Sequence, residues 1–155
     1  MDPLSITASV VGLTATCVQT AKTLSDLKDK FQNASLTISA ICTETTIISA
    51  SLSQIQSLML GNPDGLSNKL QQRPDLESTL DQSLTGCYIV FDVLQAEVQK
   101  LLEFSPPGSS EFGLRTKLRY MWNESTMQDI LTQIRGLQTA LTLLLQILGS
   151  CVLSS

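Results

Sequence analysis

The stretch MDPLSITASVVGLTATCVQTA, Met1–Ala21, decides how the chain is read. After Asp2 no charge appears until Lys22. A secretory signal needs a positive region before its apolar run, and here the run follows Asp2 with no Lys or Arg ahead of it. A constitutive membrane span is diluted by Ser5, Thr7, Ser9, Thr14, Thr16, Gln19 and Thr20. The remaining reading is the first helix of a bundle. Asp2 suits an N-cap and Pro3 the first helical position. Ile6, Val10, Leu13, Cys17, Thr20, Leu24, Leu27 and Phe31 recur in steps of four and three, which is a seam on one helix face. Small residues fill much of the rest, so this helix is weakly amphipathic at its start and compatible with lipid.

The same period continues downstream. A second helix is expected from about Asn33 to about Leu60, with the seam Ala34, Ile38, Ile41, Thr45, Ile48, Leu52, Ile55 and Met59. Gly61-Asn62-Pro63-Asp64-Gly65 reads as a turn. A third helix opens near Pro74-Asp75, with the seam Leu76, Leu80, Leu84, Cys87, Phe91, Leu94, Val98 and Leu101. Ser105–Ser110 is a Pro/Gly/Ser loop. Leu114, Leu118, Met121 and Trp122 mark a short extra helix. Ser125-Thr126-Met127-Gln128 then reads as a capping box opening the last helix, whose seam is Met127, Ile130, Ile134, Leu137, Leu141, Leu144 and Leu148. No charge follows Arg135, and apolar residues cover more than one face, so this helix is expected to be central. The pattern predicts an all-α fold: an up-down antiparallel bundle of four long helices, the last preceded by a short one, in a single domain over 1–155.

Composition narrows the chemistry. With 155 residues, 43% hydrophobic and 5% aromatic, the chain is long enough for an aliphatic core. A net charge of -4 argues against nucleic acid as a partner. The absence of His removes the commonest general base and most zinc sites. Cys17, Cys42, Cys87 and Cys151 form no CxxC pair and read as small buried hydrophobes, with reduced thiols suited to the cytosol. Asp75, Glu77 and Asp81 sit at a helix start, where acids complement the dipole. No phosphate loop, nucleophile elbow or calcium loop is present. No catalytic residue, metal ligand set or cofactor site is expected. Two Asn-x-Ser tripeptides, at Asn33 and Asn123, carry no weight without a secretory signal.

Three features remain as candidate sites. Leu4, Ile6, Val10, Val11 and Leu13 are the candidates for entering lipid, and Ala8 with Gly12 forms a small-xxx-small face for close helix packing. Each of these also fits an ordinary bundle core. Arg115, Lys117 and Arg119, beside Tyr120 and Trp122, fit either a solvated helix face or anionic headgroups, to which three charges contribute about 3 kcal/mol. Leu143 and Leu145 exceed what one seam needs and are candidates for an interface between protomers.

MDPLSITASVVGL at 1–13, LTGCYIVFDVLQAEVQKL at 84–101 and TKLRYMWNESTMQDILTQIRGLQTALTLLLQIL at 116–148 together resemble the HeLo-like N-terminal domain of fungal STAND proteins, the fungal NOD-like receptors. The motifs that carry this are Asp2-Pro3-Leu4-Ser5, Gly86-Cys87, Trp122 and Gln138 in hydrophobic patterns spanning nearly the whole chain. The resemblance implies a helical bundle placed before nucleotide-binding and sensor domains in cis. It implies self-association on activation and attack on the plasma membrane by the N-terminal helix from a cytoplasmic resting state. The resemblance does not imply that every member kills cells, so a relay module that binds protein partners without touching membrane stays open beside it.

Overall fold

The computed structural model describes residues 3–30, 36–103 and 123–153, with the side chains at 3–5, 30, 102 and 151–153 left out. Among the described residues there are five helices: α1 (Pro3–Lys30), α2 (Leu36–Gly61), α3 (Pro63–Gln72), α4 (Pro74–Glu103) and α5 (Glu124–Leu153). Four are long, as the period-3.5 seams require. Among the described residues there is no strand.

Direction follows from connection length. α1 has 28 residues and is about 42 Å long at 1.5 Å per residue. Residues 31–35 reach roughly 20 Å at most, so α2 must return antiparallel to α1. α3, at 10 residues and about 15 Å, cannot run back along α2, so α4 starts at the end where α2 stops. α5 then runs parallel to α2. Its first turn meets the α2 start through Gln128 Nε2 donating to Thr37 Oγ1 at 2.8 Å. About two turns further on, Arg135 pairs with Glu44 at 3.6 Å. Chain direction therefore alternates, but spatial order differs from a simple up-down ring. α1 packs on α2 and α4, and α5 packs on the same two, so the order round the bundle is α1, α2, α5, α4. α1/α2 and α4/α5 are antiparallel neighbours, while α2/α5 and α1/α4 are parallel ones.

The core is where the seams converge. Val10, Leu13, Cys17, Ile41, Ile48, Leu52, Ile55, Leu80, Cys87, Phe91, Leu94, Ile134 and Leu141 are all fully enclosed. Every described residue of the expected α1, α2 and α4 seams is buried. In the α5 seam Leu137 is only half-buried, seated over Gly86 of α4, and Leu131 is buried although the seam omits it.

Three expectations need correction. The segment after Gly61 is a helix as well as a turn. Asn62 caps α3 by accepting the Gly65 N–H at 3.0 Å, and Pro63 takes the first helical position. A Cβ at Gly65 would collide with that capping side chain. Leu66 and Leu70 bury one face of α3 across the bundle end, against α2, α4 and α5. Second, α5 is capped by Asn123, which accepts the Thr126 N–H at 3.1 Å, and not by Ser125. The helix starts earlier because Asn caps as well as Ser. Gln128 serves instead to bind Glu124 Oε1 at 3.0 Å and Thr37. Third, α5 is one corner of the ring rather than its centre, since Gly136, Thr139, Leu143, Gln146 and Ile147 are exposed. The short helix expected over Leu114–Trp122 lies outside the described residues.

Candidate functional site: the N-terminal helix in its seat

α1 is uncharged from Pro3 to Ala21, and its apolar stripe is stowed inside the bundle. Ile6 is 1% exposed, and Val10 and Leu13 are fully covered. These three lie together on the core face because they are four and three residues apart. Val11 lies off that stripe and is 42% exposed. Leu4 is on α1, with its side chain outside the described set. Ala8 is exposed, and Gly12 is half-buried.

Gly12 has a local packing role. A Cβ there would sit 3.1 Å from the Tyr88 hydroxyl, so the missing side chain lets α4 lay its phenol against α1. Two turns along, Gln95 Nε2 donates to Thr20 Oγ1 at 3.3 Å. Thr20 in turn donates to the Thr16 carbonyl at 2.8 Å. On the α2 side, the Cys17 thiol donates to the Thr45 carbonyl at 3.4 Å. α1 is thus held by an apolar stripe and a few weak polar contacts. Tyr88 and Gln95 lie off the α4 seam, so periodicity gave no sign of them.

The interior of this seat is chemically quiet. Burial pushes the Cys87 thiol up to about 12. Cys17 is pushed up to about 12 by burial first and by the neighbouring Cys87 second. Both stay protonated at neutral pH and are poor nucleophiles and poor metal ligands. They behave as the expected small hydrophobes, while Cys42 is half-buried. The Thr45 hydroxyl is fully buried and has no hydrogen-bond partner. Among the described residues no group of three metal-ligating side chains comes together.

The other candidates scatter. Arg115, Lys117 and Arg119 lie outside the described residues. Leu143 is 55% exposed. Leu145 is half-buried and packed against the core, so it is not free apolar surface: it sits at the edge of the α5 stripe, four residues from Leu141. Leftover apolar surface is found on α1 at Val11 and Val18, on α2 at Leu36, Ile47 and Leu60, on α4 at Tyr88, Ile89 and Val93, and on α5 at Leu143 and Ile147. It therefore favours neither end of the chain. Among the described residues only α2 is long and apolar enough, by length and composition, to cross a membrane; α1 is not.

No protein-family model, no curated protein and no solved structure matches this chain.

Proposed function

We propose that this chain is the N-terminal effector domain of a fungal NOD-like receptor of the HeLo-like type, without enzymatic activity. It rests in the cytoplasm as a closed bundle. On activation it self-associates at the plasma membrane and delivers its N-terminal helix to lipid. The receptor's nucleotide-binding and sensor domains are its partners in cis, and nucleic acid is not a partner.

The observation that carries this reading is the stowed α1. A helix uncharged from Pro3 to Ala21 places Ile6, Val10 and Leu13 inside the bundle, while Ala8, Val11, Ala15, Val18 and Gln19 form the exposed face of that stretch. Such a helix costs little to move into an interface once it leaves its seat, because Thr14, Thr20 and Thr23 bond their hydroxyls back to their own helix. The closed bundle is the resting state, and release is a two-state switch that an upstream domain biases. The basic cluster Arg115, Lys117 and Arg119 supplies attraction to anionic headgroups.

Dye release from anionic vesicles tests the proposal. The intact chain is expected to release dye, and a folded variant lacking the residues before Leu13 is not. Equal release by both would remove α1 from the mechanism. Exposed Leu143 supports the second reading, a relay module that binds protein and not lipid. Absence of release from the chain and from a forced oligomer would favour it.

A further inference from the structure

α1 is the helix that the proposed function sends to lipid, yet among the described residues only α2 is long and apolar enough to cross a membrane. The two are antiparallel neighbours joined through residues 31–35. One contact fixes their register. The Cys17 thiol reaches the Thr45 carbonyl, so Val11 lies about level with Ser51, and Pro3 with Met59. On that register the uncharged parts of the two helices coincide. α1 carries no Asp, Glu, Lys or Arg over 3–21, about 28 Å, and α2 none over 45–61, about 26 Å. The hydrocarbon of a bilayer is ~30 Å thick. Charge returns on both helices towards the 31–35 connection, at Lys22 on α1 and at Glu44, the single charge of α2. The pair is a helical hairpin with a charged closed end and an uncharged band of nearly bilayer thickness. Hydroxyls of the band are bonded to their own helices. Thr14 donates to the Val10 carbonyl at 2.7 Å, Thr46 to Cys42 at 2.9 Å, Ser53 to Ser49 at 2.9 Å and Ser57 to Ser53 at 3.0 Å. Such groups lose little when water is removed.

We infer that α1 and α2 leave the bundle together and enter the bilayer as one antiparallel hairpin. This rests on the membrane part of the function proposed above and changes its moving unit, from α1 alone to the pair. Hydrocarbon is the occupant that the band fits. A protein contact covers one face of a helix and keeps a polar rim. Here charge is missing from every face of both helices, including exposed Val11 and Val18 on α1 and exposed Ala50, Ser53 and Leu60 on α2. α1 is not apolar enough to span by itself. Beside α2 it shares the crossing, and small residues such as Ala8, Gly12 and Ala15 suit close packing of helices in lipid. The amides of Gln19, Gln54 and Gln56 are of the kind that bond between helices in a bilayer. Two polar seams fasten the hairpin to the rest of the bundle. Thr20 meets Gln95 of α4, while Thr37 and Glu44 meet Gln128 and Arg135 of α5. Opening these seams frees α1 and α2 without parting Cys17 from Thr45.

Dye release from anionic vesicles by the whole chain, with a lysine placed in the band, tests this. Val11→Lys on α1 and Ala50→Lys on α2 lie about level at exposed positions, where the closed bundle tolerates them. Ile89→Lys, on α4 and 61% exposed, is the control. Circular dichroism confirms that each is folded. A lysine at the bilayer centre lowers insertion about a hundredfold. It also strengthens attraction to anionic vesicles, so lost release is not lost encounter. Both band variants are expected to release dye about a hundredfold more slowly than wild type, and the control like wild type. Protease digestion of vesicle-bound wild type should leave protected peptides from both α1 and α2, read by mass spectrometry. Loss confined to Val11→Lys, with protection of α1 alone, overturns the hairpin and leaves the proposed function standing with α1 as the inserting unit. Loss confined to Ala50→Lys, or a control that loses as much, overturns the hairpin as well. A wild type that neither releases dye nor gains protected peptides removes the membrane part of the proposed function and the hairpin with it. Protected peptides from both helices without dye release uphold the hairpin and remove membrane disruption from the function.

Discussion

Thr45→Val should stabilise the protein. Thr45 is fully buried on α2, its carbonyl receives the Cys17 thiol, and its hydroxyl has no partner. A buried hydroxyl left unsatisfied costs about 1–3 kcal/mol. Valine has nearly the same shape and the same helix propensity, so the backbone term cancels. The new methyl adds apolar burial of about 0.8 kcal/mol. The carbonyl that Cys17 contacts is untouched. The sum is a gain of about 2 kcal/mol, which for a chain of this length raises Tm by roughly 4–8 °C. Urea unfolding should show a higher midpoint with an unchanged slope. Thr20→Val is the contrast, because Thr20 accepts from Gln95 and donates to Thr16. Its loss should cost about 1 kcal/mol. A Thr45→Val protein less stable than wild type would refute the reasoning, since the hydroxyl would then have a partner that the geometry lacks.

Other consequences follow from the caps, the glycines and the thiols. Asn123→Ala should cost about 1 kcal/mol in urea unfolding while Ser125→Ala changes little, because Asn123 caps α5. Gly136→Ala should gain about 1 kcal/mol, since a Cβ there meets nothing within 4 Å and the site is exposed mid-helix. Cys17 and Cys87 have folded values raised from 9.0 to about 12, so the unfolded chain loses these protons first. Their contribution to stability is complete below pH 9.0 and falls as pH rises towards about 12, and a Cys17→Ala/Cys87→Ala protein should show a flatter decline of urea midpoint in that window. The Arg73 side chain, hydrogen-bonded to Asp75 at 3.0 and 3.1 Å, holds the Asp75 carboxyl below its usual value, and Arg73→Gln should return it upward in an NMR titration.

The long helices were legible because burial imposes a period, and each seam ran for six or more apolar steps. α3 was not, because Leu66 and Leu70 are a single i,i+4 pair, too short to stand out from the turn residues Gly61–Gly65. Nor was the ring order. A seam says that a helix has a core face, but not which neighbour lies on each side of it. Glu44 with Arg135, and Thr37 with Gln128, set α2 beside α5, and these pairs are remote in sequence. The candidate site was legible in part. Ile6, Val10 and Leu13 follow the seam into the core, while the role of Gly12 depends on Tyr88, a residue outside every pattern.

The central claim is that α1 leaves its seat when the protein acts on a membrane. Cys87 reports on this directly, being fully buried on α4 in the closed bundle. Its alkylation by iodoacetamide, read by mass spectrometry, is the measurement to make with and without anionic vesicles under conditions of dye release. The account predicts protection of Cys87 in free protein and modification once vesicles leak. Leakage with Cys87 still protected would contradict it, because the bundle would then act without opening.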